Sequence, residues 1–191
     1  MARNILVING HPDPSGARLC AALAGAYVRG ANAVGHQIRR IDVGGLDFPL
    51  IRTSADFVGG ELPPAIREAQ EAVRWADHLV IIHPIWLGAA PALLKGFFEQ
   101  VFRYGFALSA PGGPIKGLLT GKSARVVVTM GMPGPVCRWV FGAYGLRSLA
   151  RGVLWISGVK PIARTIIGNV EAPGVAARWI LEMEQLGREG A

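Results

Sequence analysis

At 191 residues, 20.3 kDa and 51% hydrophobic content, the chain can bury the core of one domain over 1–191. Its apolar runs nevertheless fall short of the roughly 18 residues a membrane-spanning helix needs. Two distant cysteines, Cys20 and Cys137, outside any CxxC pair, and four histidines without HExxH spacing leave no disulfide framework and no metal site to expect, while a net charge of +7 with scattered basic residues suits an anionic ligand better than nucleic acid.

The opening MARNILVING enters a strand pattern at once, without a signal-peptide layout, so the chain is expected to be cytoplasmic and not inserted in a membrane. The first strand is Asn4 to Asn9, and a polar, proline-bearing loop follows, His11 to Arg18. The spacing of Leu19, Leu23, Ala26 and Tyr27 predicts a helix from about Ser15 to Arg29. Strand, tight loop and helix in succession make an anion site, because the first helical N–H groups lack partners. Ser15 is placed to cap this helix and to donate to a phosphate, with Arg18 adding charge. The loop is neither GxGxxG nor a Walker sequence, which argues against a dinucleotide fingerprint or an ATPase.

The second strand is expected over His36 to Val43, then an irregular stretch from Leu46 to Gly60 and a helix from about Pro64 to Trp75. The run Leu79 to Ile82 reads as a fully buried strand. It leads into Pro84-Ile85-Trp86-Leu87-Gly88 and a helix starting near Pro91, a residue whose missing N–H costs nothing there. Such a loop sits at the carboxyl edge of a parallel sheet, where open α/β sheets bind ligands. Being apolar but rich in backbone donors and acceptors, it suits a flat heteroaromatic ring. Ala107 to Gly121 is read as a surface loop and a candidate lid. Ala124 to Thr129 is the fourth strand and opens into Met130 to Pro135; a helix over Val136 to Leu149, an apolar segment Val153 to Ser157, a fifth strand Ile162 to Gly168 and a helix Gly174 to Arg188 complete the alternation. That alternation implies a parallel sheet with helices on both faces.

Three segments, ILVINGHPDPSGARL, HPIWLGAAPALLKGFFEQVFRYGFAL and GKSARVVVTMGMP, together resemble the FAD-dependent NAD(P)H:quinone oxidoreductase family. The resemblance implies a flavodoxin-like three-layer α/β/α sandwich of strand order 2-1-3-4-5, and a homodimer with active sites at the subunit interface. It implies ping-pong hydride transfer through flavin N5 from NAD(P)H to a quinone or similar acceptor, with FAD as cofactor and FMN as the alternative. His11, Ser15, Ala17 and Arg18 would then line the adenine and phosphate part of the cofactor. Pro84, Ile85, Trp86 and Leu87 would hold the ring, and Thr129, Met130 and Gly131 would approach its pyrimidine end. Trp86, Phe106 and Met132 would line the acceptor pocket. Where better-known relatives carry a tyrosine and a histidine, this chain has Cys137 and Tyr144 and no histidine, leaving Tyr144 as the one candidate for a catalytic side chain. Ala17-Arg18 likewise stands where relatives often have Phe-Asn. Two other readings come from the same resemblance: an ancillary regulatory subunit of a potassium-efflux system, and an FMN electron carrier.

Overall fold

The chain forms five parallel strands, β1 (Asn4–Asn9), β2 (Gln37–Asp42), β3 (His78–Pro84), β4 (Ser123–Thr129) and β5 (Ile162–Ile167). They are hydrogen-bonded in the order β2-β1-β3-β4-β5 in a computed structural model that describes residues 2–191. β3 is central and buried along its whole length, which is why its sequence shows no polar alternation. Successive strand residues then sort by period two. Leu6, Ile8, Leu79, Ile81, Val126 and Val128 form one core, while Ile5, Val7, Val80, Ile82 and Val127 form the other.

The second core is closed by α1 (Leu19–Ala33) and, at the end of the chain, by the helix Val175–Glu189. Between them in sequence come α2 (Ser54–Gly59), α3 (Pro64–Trp75), α4 (Ala92–Val101) and α5 (Tyr144–Arg147), so the closing helix is α6. The first core is roofed by Ile66 and Val73 of α3 and by Leu94, Phe97 and Val101 of α4. Burying one such side chain contributes about 1.5–3 kcal/mol. The expected three-layer sandwich and strand order are therefore the observed ones.

α1 and α6 approach closely because glycine faces glycine-sized space. A Cβ on Gly30 would stand 1.9 Å from the Glu184 carbonyl oxygen, and one on Gly187 would stand 2.1 Å from that of Tyr27. α2 is absent from the expected elements. It is nucleated by a capping box in which Thr53 Oγ1 accepts the Asp56 N–H at 3.1 Å and Asp56 accepts the Thr53 N–H at 3.0 Å.

Two further differences bear on function. α1 starts at Leu19, four residues later than expected, because side-chain-to-backbone bonds hold residues 13–17 in a loop and Gly16 is left-handed at φ 72°. The expected helix over Val136 to Leu149 is broken into a π-helical turn (Val136–Val140), α5, and a π-helical stretch (Ser148–Trp155). Its interruption is Gly142-Ala143, left-handed at both residues. Finally, the stretch 107–121 is tied to the amino edge of the sheet, with the Leu119 N–H on the Ser157 carbonyl at 2.8 Å, so it does not cover the carboxyl-edge loops.

Candidate active site

Three loops leave the carboxyl ends of β1, β3 and β4 side by side: residues 10–18, 85–91 and 130–135. The first is anchored by Asn9, whose side chain accepts the His11 N–H at 3.2 Å and donates to Asp42 at 2.8 Å. Gly44 lets it close down, since a Cβ there would meet the Pro12 carbonyl oxygen at 2.7 Å. His11 Nδ1 accepts the Asp13 N–H at 3.0 Å, which leaves the imidazole proton on Nε2 as a donor. Burial holds the pKa of His11 below its ordinary value, so the ring is neutral at physiological pH.

Asp13 organises the rest of this loop. One carboxylate oxygen takes the Ser15 N–H at 2.9 Å and the other takes Arg18 Nε at 2.6 Å. Those bonds, led by Ser15 and followed by Arg18, lower its pKa to about 2. Arg18 is therefore not the free positive charge expected of it; its partner is already in the loop. Nor does Ser15 cap the helix: the N-cap position is Arg18, with no side-chain cap. Instead the N–H groups of Gly16, Arg18 and Leu19 make no hydrogen bond to the described residues, and Ala17 is exposed beside them.

The second loop is a hairpin of two residues. Trp86 and Ala89 exchange backbone hydrogen bonds at 2.9 and 3.0 Å around Leu87 at φ 48° and Gly88 at φ 81°, the signature of a type I′ turn. A leucine with positive φ is strained, by roughly 1–2 kcal/mol, and here its side chain is fully exposed. Strain of this kind gathers where the chain meets ligands. The Leu87 and Gly88 N–H groups have no partner among the described residues. Pro84 ends β3 opposite Thr129, and the Ile85 N–H donates to the Thr129 carbonyl at 2.8 Å. Trp86 is half exposed, and the His11 ring meets it edge-on at 5.8 Å. The first two loops thus touch, which their separation in sequence does not announce.

In the third loop the Met130 N–H is spent on the Ile167 carbonyl at 2.9 Å, extending the β4–β5 pairing. Met130 itself is buried, so of the expected backbone donors it is Gly131, followed by Met132, whose N–H remains free among the described residues. Thr129 is buried too, with its hydroxyl on the Cys20 thiol at 3.5 Å beneath α1. Burial raises the thiol pKa of Cys20 and of Cys137, which argues against either as a nucleophile.

Beside the hairpin lies a cavity of about 430 Å³ lined by Ile85, Leu87, Met132, Cys137, Phe141 and Tyr144. Tyr144 reaches it because Gly145 sits against the hairpin, where a Cβ would be 2.2 Å from the Gly88 carbonyl oxygen. Trp86, Met132 and Tyr144 are therefore on the same edge. Phe106 is not. It is buried at the opposite, amino edge with the Arg74 guanidinium 5.2 Å above its ring, next to the Ala76 carbonyl that binds Lys122. Within one chain it cannot line the same pocket as Trp86.

These groups fit a flavin nucleotide: unpartnered N–H groups for phosphate oxygens on one loop, others for a ring's polar edge on the facing loops, and the indole of Trp86 between them. Asp13, Asn9 and Gly145 were not legible as site residues. Asp13-Pro14-Ser15 carries a turn signal, but nothing in the sequence pairs it with Arg18. Among the described residues no group of histidine, cysteine or carboxylate side chains could hold a metal ion, and no helix is long and apolar enough to cross a membrane.

The chain is similar to human ribosyldihydronicotinamide dehydrogenase [quinone], at 30% identity in an alignment of 149 residues that covers 73% of the chain. It is 29% identical over 154 residues to a ribosyldihydronicotinamide dehydrogenase-like protein of Penicillium crustosum, covering 66% of the chain. It spans less than two thirds of the length of these relatives, 64% and 57% respectively. Among solved structures, an NAD(P)H:quinone oxidoreductase from Methanothermobacter marburgensis superposes over 100% of both chains with a TM-score of 0.85 at 23% identity, a likeness of fold. The sequence model described by the flavodoxin-like fold matches residues 3–185. With that match and the strand order and loop placement it requires, the chain belongs to the flavodoxin-like family.

Proposed function

We propose that the carboxyl edge binds a flavin nucleotide and that the chain is an NAD(P)H:quinone-type oxidoreductase. The observation that carries the reading is that three adjacent loops at the carboxyl edge each keep backbone N–H groups without a partner among the described residues. These are Gly16, Arg18 and Leu19 on the first, Leu87 and Gly88 on the second, and Gly131 and Met132 on the third, with the His11 ring of the first loop against the half-exposed Trp86 of the second. When bound, a flavin supplies the hydride-accepting and hydride-returning centre. The protein supplies position and field. Pro84, Ile85 and Leu87 would wall the ring, and the Gly131 and Met132 N–H groups would stabilise negative charge on it without having to reorient. The apolar lining of the cavity beside the hairpin, Ile85, Leu87, Met132 and Phe141, would hold an aromatic donor or acceptor out of water. Tyr144, exposed on the cavity wall, would be the group that gives a proton to the acceptor.

FAD is favoured over FMN. A terminal phosphate of FMN carries close to two charges, with a second pKa of about 6, whereas each phosphate of FAD carries one. Asp13 already places a carboxylate among the loop donors, and a doubly charged neighbour is the less welcome guest. A homodimer is proposed as well: Trp139, Val140, Phe141, Tyr144 and Trp155 are all exposed, a larger apolar surface than a lone subunit ordinarily presents. Releasing the bound molecule from purified protein and identifying it by absorbance and mass tests the first step. Flavin followed by oxidation of NADH or NADPH with a quinone is the expected result. Protein that neither carries nor takes up flavin would refute it.

A further inference from the structure

The chain has 20 lysines and arginines, and most of them are occupied. Arg39 lies 4.6 Å over Trp75 and Arg40 binds Asp42, so both cations of the β2 edge have partners. Arg3, Arg67, Arg103, Lys122 and Arg125 bind carbonyl or hydroxyl oxygens, and Arg18, Arg29, Lys95 and Arg188 bind carboxylates. Arg74 and Arg178 stand over aromatic rings. Arg52 and Lys116 aside, the remaining five, Arg138, Arg147, Arg151, Lys160 and Arg164, make no such contact among the described residues. All five lie along the β5 edge.

They line two clefts that share Arg164. One, of about 280 Å³, is bounded by Arg138, Arg147 and Arg164 together with Ala143, Leu146 and Ile166. The other, of about 730 Å³, runs toward the amino end of β5 between Arg151, Trp155, Lys160 and Arg164. No carboxylate lines either. The smaller cleft shares Ala143 and Leu146 with the apolar cavity beside the flavin-loop hairpin, so the two are neighbours across one wall. A lone arginine on an edge strand deters strand pairing. Three facing one small cleft do more: they repel one another and focus positive potential where a multi-oxygen anion would relieve it.

We propose that Arg138, Arg147 and Arg164 form a subsite for an oxyanion carried by one of the two molecules that react at the carboxyl edge. It takes either the ribose phosphate that distinguishes NADPH from NADH, or an acidic substituent on a quinoid acceptor. The inference rests on the oxidoreductase reading for the identity of those molecules, but not for the binding of the anion.

Two measurements on the flavin-loaded full chain test it, with R147Q/R164Q as the variant and R164K, which keeps charge but not the planar fork, as the second. In the first, titration calorimetry at low salt uses adenosine 2′,5′-bisphosphate and a naphthoquinone sulfonate as probes. At least one should bind wild type, weaken about tenfold or more in R147Q/R164Q, weaken less in R164K, and weaken with added salt. In the second, kcat/KM ratios assign the source. A fall in the NADPH-to-NADH ratio places the anion on the donor, and a fall in the sulfonated-to-neutral quinone ratio places it on the acceptor. If neither probe binds wild type, or both bind the variant equally, the subsite does not exist and the arginines face solvent or a protein partner. If a probe binds as expected but no quinone is reduced, the subsite stands and the oxidoreductase reading falls.

Discussion

His83 is the next-to-last residue of the central strand, just before the Trp86–Ala89 hairpin, and is fully buried. Its Nδ1 donates to the Pro84 carbonyl at 2.9 Å, and Nε2 has no partner among the described residues. Burial lowers its pKa to about 4 from an ordinary 6.5, so the folded chain keeps it neutral where the unfolded chain protonates it. A histidine lowered in this way contributes stability that is complete above pH 6.5 and is lost as the pH falls toward 4, because the unfolded state binds the extra proton. Between pH 7.5 and 5 the loss from this one group comes to about 2 kcal/mol. The perturbation is H83F, which removes the titrating nitrogens and keeps an aromatic ring in the space. The assay is urea unfolding at intervals across that range, before most carboxylates begin to titrate. H83F should retain about 2 kcal/mol more of its neutral-pH stability at pH 5 than wild type retains of its own. His78, likewise lowered by burial to about 3, leaves a residual slope in both proteins. Equal losses in wild type and H83F would refute the reasoning, since they would mean that His83 ionises freely in the folded chain.

Other outcomes follow from the site. D13N frees the loop donors and removes a like charge, so flavin nucleotides should bind roughly threefold tighter or more, with FMN gaining more than FAD in fluorescence titrations; unchanged affinity would mean that Asp13 is no competitor. G145A drives a methyl into the Gly88 carbonyl and Ala89 Cα, at 2.2 and 2.7 Å, and should cost about 1–3 kcal/mol, lowering Tm by several degrees and weakening flavin binding together. L87N relieves a left-handed leucine with a residue that tolerates that conformation, so it should raise stability by up to about 1 kcal/mol while weakening flavin binding through loss of an apolar wall. W86A should weaken flavin binding without lowering Tm, because half of the ring is already exposed.

The sheet was legible because β1, β3 and β4 are apolar runs between turn residues and β2 keeps Ile38 and Ile41 around its arginines, and the three segments that carry the family resemblance include the loops that the fold brings together. What escaped reading was tertiary pairing. Ser15 has the composition of a helix cap, yet Asp13 captures its N–H and delays α1 to Leu19. Met130 looks like a free loop donor until β5 is placed beside β4 and takes its N–H. Phe106 follows the flavin-loop segment closely in sequence, but α4 runs antiparallel to the strands and carries it to the opposite edge. Thr53 to Asp56 was a different case, a local capping box lying in plain view within a stretch that lacks helical apolar spacing.

The glycine contacts between α1 and α6 have a consequence for handling the protein. Gly30 and Gly187 let α6 rest backbone-on-backbone against α1, the helix that follows loop 10–18, so α6 acts as a splint for the loop proposed to take the phosphates. A deletion reaching back past Gly187 would take away that brace and leave α1 supported only by the sheet below it. Substitutions or replacements within the final turns of that helix, before the left-handed Gly190 that ends it, should therefore loosen α1 as well.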